Sequence, residues 1–229
     1  HGGGENGETG AELILAALKA FTQKASNQHA KALYLLLTKY STIDHVDALL
    51  PLVMQSTDMR SDRVRAVARW LAMEAPDREP VKTAIAILGV VSLSEDRDLL
   101  LTLGRHEEFT LFASVALQHT EGHSEAMLWE LAQHVTGWGR IQIIERLATT
   151  QDERIKDWLL RQGYRNDIME EYTALICART GHLVVRLRAP HPDRELLTGA
   201  GAILAALIRG GPAEGIEAYA DGPESTELY

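Results

Sequence analysis

GWGRIQIIERLATTQDERIKDWLLRQGYRNDIMEEYTALICARTGHL, Gly137 to Leu183, decides the fold. It reads as helix, short turn, helix, short turn, helix. Trp158 stands 29 residues after Trp129, and Trp129 stands 59 after Trp70, with Leu100 at the midpoint of that longer gap. A spacing near 29 residues that recurs in this way is the mark of stacked helical units.

Working outward, first-helix segments centre near Leu88, Leu117, Leu147 and Leu175. Second helices centre near Trp70, Leu100, Trp129 and Trp158. A short helix pair cannot bury its apolar face alone, and stacking successive pairs closes the core. Val64, Val67, Ala68 and Leu71 follow i, i+3, i+4, i+7 and form one buried stripe. Val81 to Val91 is almost wholly apolar, as for a helix covered on several sides. No convincing strand competes with it.

Punctuation follows the same plan. Thr9 with Glu12, Ser92 with Glu95 and Thr150 with Glu153 have capping-box spacing, and Ser61, Ser124 and Asp167 read as further helix starts. Pro51 should kink or divide its helix. Gly137-Trp138-Gly139 reads as a break before a helix at 140–148. Gly181 reads as a left-handed helix terminator. A last helix pair is expected at 195–209 and 212–220. Residues 1–10 read as a flexible lead, 11–222 as one helical-repeat domain and 223–229 as a frayed tail.

These features resemble HEAT-like α-solenoids, with shorter units than the usual HEAT repeat. The resemblance implies an all-α, right-handed solenoid of about six or seven helix pairs. Trp138-Gly139-Arg140-Ile141, Glu145-Arg146-Leu147, Trp158-Leu159-Leu160, Gly163, Met169, Tyr172, Cys177-Ala178, Gly181 and the terminal GGPAEGIEAYADG are similar to a bacterial HEAT-like family. Some members of that family carry a limonene-hydroxylase label, which implies a monooxygenase acting on a small molecule. No catalytic motif of such an enzyme is matched residue by residue.

Composition narrows the function classes. The 229 residues are 45% hydrophobic, enough for a sizeable core, and carry a formal charge of −9. That balance disfavours phosphate backbones, so no nucleic-acid partner is expected. No apolar run approaches a membrane span, so no membrane partner is expected either. Cys177 is the single cysteine, which excludes an intrachain disulfide and fits a cytoplasmic setting.

Motifs that could carry chemistry have simpler readings. His119, His123 and His134 invite a zinc site, but Gly122 and Ser124 place that segment in a turn. Gly122-His-Ser124-Glu-Ala126 imitates a nucleophile elbow, yet a helix precedes it where a strand is required. Gly199-Ala-Gly201 lacks the third glycine of a dinucleotide fingerprint and reads as close helix packing. Cys177 sits among apolar residues and reads as an inert buried thiol. No ligand set for haem, flavin or metal is found, so no cofactor is expected.

The expectation is therefore a non-catalytic scaffold that binds a protein or peptide partner along a curved face. Its candidate contact residues are Arg63, Arg65, Arg69, Trp70, Trp129 and Trp158, because arginine and tryptophan anchor interfaces. For the tryptophans, packing between repeats is the competing role.

Overall fold

The computed structural model describes residues 3–91, 94–119 and 124–229, with side chains from residue 7 onward. Among these residues the chain is entirely helical, with fourteen α-helices, two 3-10 turns, one π-helical turn and no strand. It packs as two compact units, His1–Ser124 and Glu125–Tyr229.

The first unit holds α1 (Gly3–Gln23), α2 (Asn27–Lys39), α3 (Thr42–Gln55), α4 (Ser61–Glu74), α5 (Arg78–Val91), α6 (Arg97–Gly104) and α7 (Glu107–His119). Helices α1, α3, α5 and α7 each pack on the next, as a row. α2 and α4 pack on α1 and α5, and α6 packs on α7. α5 is the most enclosed, with an unbroken buried run from Thr83 to Gly89. This is why its sequence is apolar on every side. Gly89 lets α5 close on α7, since a Cβ there would lie 2.8 Å from the Ala116 Cα.

The second unit begins within α8 (Ser124–Ala132). It continues through α9 (Gly137–Arg146), α10 (Glu153–Trp158), a π-helical turn Leu159–Gly163, α11 (Glu171–Thr180), α12 (Leu183–Leu187), α13 (Arg194–Arg209) and α14 (Gly222–Leu228). α9, α11 and α13 form its row, and α13 also packs on the π-helical turn. The landmarks Trp70, Leu88, Leu100, Leu117, Trp129, Leu147, Trp158 and Leu175 fall on or at the end of α4 through α11 in succession. The five leucines among them are buried.

Several local expectations change. Thr9 and Glu12 lie inside α1, which begins at Gly3, within the stretch read as a lead. Pro51 leaves α3 continuous, because Val46, Leu49 and Val53 on both sides of it are held in the core. α9 includes Gly137, Trp138 and Gly139 rather than following them. The cap of α10 is Asp152, whose carboxylate accepts the Arg154 N–H at 2.8 Å, and not Thr150. Hydrogen bonds to Arg154 hold that carboxyl at about 2.

Gly181 is helical at φ −72°, and the left-handed position falls on His182 at φ 54°. Gly181 is small for packing, since a Cβ there would lie 2.5 Å from Leu160 Cγ. Residues 212–220 hold only a 3-10 turn, Ile216–Ala218. α14 occupies the stretch read as a tail, with Ser225 buried. Ser92 lies outside the described residues.

Candidate functional site

Four of the six predicted contact residues lie on α4 in the first unit, and their charges are already engaged. Arg65 donates from Nε to Asp96 Oδ2 at 2.6 Å, and from Nη2 to Asp96 Oδ1 at 3.0 Å and Glu95 Oε2 at 3.1 Å. Arg69 pairs with the same Asp96 carboxylate through Nη1. The Asp96 side chain is fully buried, whereas Arg65 and Arg69 are 18% and 32% exposed. One desolvated carboxylate thus holds two guanidiniums. Arg63 Nη1 donates to the carbonyls of Thr22 at 2.8 Å and Gln23 at 3.4 Å, capping the C-terminal end of α1. Trp70 is half-exposed and meets Phe21 edge-on, with ring centroids 6.0 Å apart.

Trp129 and Trp158 lie in the second unit, each beneath an arginine. The Arg154 guanidinium stands 5.6 Å from the Trp129 ring centroid, and Arg140 stands 5.7 Å from that of Trp158. Both distances are within cation–π range. The Trp129 indole N–H is buried without a hydrogen-bond partner among the described residues. Trp158 also lies against Gly163, where a Cβ would be 3.0 Å from Cζ3. Arg140 donates to the carbonyls of Ala132 at 3.0 Å and Arg165 at 2.8 Å. Burial pulls its guanidinium below the usual arginine range. These two tryptophans are therefore engaged inside the unit.

What the sequence did not disclose is an apolar groove among α3, α5 and α7. It encloses about 580 Å³, including the solvent at its mouth. Val46, Leu50, Ala86, Val90, Leu111, Phe112, Val115 and Ala116 line it, with Asp47 and His119 as its polar members. A second depression continues past Leu50 to Pro51 and Met54. Ile43 and Met54 stand at its rim, 60% and 68% exposed. Ile43, Leu50 and Met54 were legible only as parts of one apolar helix, because nothing in periodicity distinguishes a covered stripe from an uncovered one.

Helices α3 and α5 also share a buried polar relay. Thr42 Oγ1 donates to the Glu79 carbonyl at 3.0 Å, which leaves Thr83 Oγ1 to donate to Thr42 Oγ1 at 3.0 Å. Thr83 Oγ1 then accepts from His45 Nε2 at 3.3 Å. His45 is fully buried, and desolvation lowers its pKa, against smaller raising effects from the Ser41 main chain, Glu79 and Asp44.

Among the described residues the remaining candidates for chemistry do not assemble. His134, in the turn after α8, bonds through Nδ1 to the Glu130 carbonyl, 2.8 Å away. Glu121, Gly122 and His123 lie outside the described residues. Among the described residues no group of three His, Cys, Asp or Glu side chains is placed to hold a metal. Ser124 opens α8. Cys177 is buried, and desolvation pushes its thiol far up. A Cβ at Gly199 would lie 1.9 Å from the Leu160 carbonyl oxygen, which makes it a packing glycine. No described helix is long and apolar enough to cross a membrane.

Comparison of the chain with family models, with curated proteins and with solved structures returned no match.

Proposed function

We propose that the chain is a HEAT-like helical-repeat scaffold, and that its first unit binds an apolar segment of a partner protein in the α3–α5–α7 groove. The repeat reading, a right-handed solenoid with a period near 29 residues, is supported by the succession of landmark residues on α4 through α11. The groove is the observation that carries the binding reading. Its walls are aliphatic and aromatic, and its rim leaves Ile43 and Met54 in water. Exposed apolar surface of this kind is a common mark of an interaction site. An amphipathic helix laid in such a groove would anchor through residues at helical spacing. Among the described residues Asp47 is the formally charged group in the lining, and it favours a basic residue at the flank of that helix.

The test is recovery of partners from source cells by the native chain and by an Ile43→Glu, Met54→Glu variant. Both side chains are exposed, so melting should stay within about 0.5 kcal/mol of native while a partner is lost. Equal recovery by the two chains rejects the groove as the docking site.

A second reading is an apolar small molecule in the same groove. Its lining favours this, since ligand pockets are walled mainly by aliphatic and aromatic side chains with a few polar groups. Native mass spectrometry of the chain purified from its source separates the two readings. Stoichiometric small-molecule adducts support the second, which is the setting an enzyme acting on an apolar substrate would need.

A further inference from the structure

The second unit has three tryptophans, and two of them already carry an arginine on the ring face. Among the described residues the third, Trp138, does not. It is 55% exposed and its ring meets that of Tyr172, with centroids 5.0 Å apart and planes inclined at 57°. About half of the Trp138 surface is thus left to solvent.

An exposed carboxylate, Asp167, lies one residue from a backbone contact with the start of α9. The Gly137 N–H donates to the Asn166 carbonyl at 2.6 Å, which brings the start of α9 against the segment before α11. Asp167 is the next residue of that segment. It holds φ at 64°, uncommon for a residue with a side chain, and is exposed. Asn166 enforces the conformation from within. Its Oδ1 accepts from the N–H groups of Ile168 and Met169 at 2.9 Å, and its Nδ2 donates to the Met169 carbonyl at 2.9 Å and Thr173 Oγ1 at 3.1 Å. Tyr172 N–H closes the turn on the Met169 carbonyl at 3.2 Å. A hydrogen-bonded turn therefore carries Asp167 into the first turn of α11, which holds Tyr172.

Elsewhere in this unit carboxylates meet arginine: Asp152 with Arg154, Asp157 and Asp193 with Arg161, Glu171 with Arg209. Asp167 forms no hydrogen bond or ion pair among the described residues, and Arg140 reaches it only through a longer-range field. Arg165 turns away, donating to the Tyr164 hydroxyl at 3.0 Å.

We propose that Trp138, Tyr172 and Asp167 form a binding site for an alkylammonium group, either a lysine-type side chain of a peptide or a free quaternary amine. The ring faces supply cation–π attraction, and the carboxylate supplies the opposite charge. The N-terminal dipole of α9 and the Arg140 charge oppose a cation here. Asp167 therefore decides the sign of the local field, and its removal should be felt strongly. The site is independent of the groove in the first unit.

The experiment is an NMR titration of the indole N–H resonances with tetramethylammonium chloride, against sodium chloride at equal ionic strength and neutral tert-butanol. Trp138→Phe identifies the resonance. A saturable shift of Trp138 with the cation alone is expected. Asp167→Asn should weaken it about fivefold, and Tyr172→Ala should abolish saturation. Asn keeps the left-handed backbone, so Asp167→Asn folds as native. Equal response to tert-butanol, no saturable response, or unchanged affinity in Asp167→Asn overturns the proposal. A trimethyllysine peptide that binds more tightly than tetramethylammonium assigns the site to a side chain; equal affinity assigns it to a free amine.

Discussion

The Arg63–Trp70 segment of α4 and the Trp138–Tyr172 pair of the second unit look alike as sequence: an aromatic ring with charges close by. Their structures part company over what those charges touch. On α4, Arg65 and Arg69 converge on buried Asp96, and Arg63 caps α1. In the second unit, the Asp167 carboxylate has no ion-pair partner among the described residues. An arginine beside a tryptophan is therefore no guide to an interface until its carboxylate is found. The unspent charge is the better pointer.

The contrast is broken most severely at Asp96. Asp96→Ala takes from Arg65 and Arg69 the buried anion they share, leaving Arg65 only the exposed Glu95, and should cost about 3–5 kcal/mol in urea unfolding. A loss below about 1 kcal/mol would return the α4 arginines to the free-surface class. Gly199→Ala applies the same test to packing in the second unit. Its Cβ would press on the Leu160 carbonyl oxygen, and overpacking of this kind costs about 1–3 kcal/mol.

Acid should act on the first unit through His45. Its folded pKa lies below the unfolded value of 6.5, because burial disfavours the imidazolium. Below that pH the unfolded chain binds a proton that the folded chain refuses. Stability is then lost as pH falls toward the folded pKa, by up to about 1.4 kcal/mol per pH unit. Urea melts of native protein and His45→Gln from pH 7 downward should differ in slope, with the variant flatter. The smallest expected effect is at Asp167. Asp167→Asn removes no ion pair, so its stability should stay within about 0.5 kcal/mol of native by thermal melt. A large loss there would show a structural carboxylate and erase the contrast.

The helices were legible in the sequence because their core stripes repeat with helical period, from Val64–Leu71 through Leu88, Leu117 and Leu147. Caps were less so. Thr150, Asp152 and Glu153 all present oxygen near one helix start, and only the backbone conformation at Asp152 selects among them. Gly181 and His182 show the same ambiguity, since glycine serves both tight packing and positive φ, and here packing took it. The groove was invisible because periodicity identifies an apolar face without showing whether a neighbour covers it. The role of Asp96 was hidden for a related reason. It lies 27 residues from Arg69, and no local rule joins residues at that separation.

The central claim is that the α4 arginines are spent on a buried carboxylate, and a double-mutant cycle between Arg69 and Asp96 tests it most directly. Arg69→Ala, Asp96→Asn and the double variant would be compared with native protein by urea unfolding at neutral pH. A coupling of about 1.5–3 kcal/mol is predicted, as for contacting members of one buried network. Additivity within about 0.5 kcal/mol would contradict it and leave Arg69 free to meet a partner.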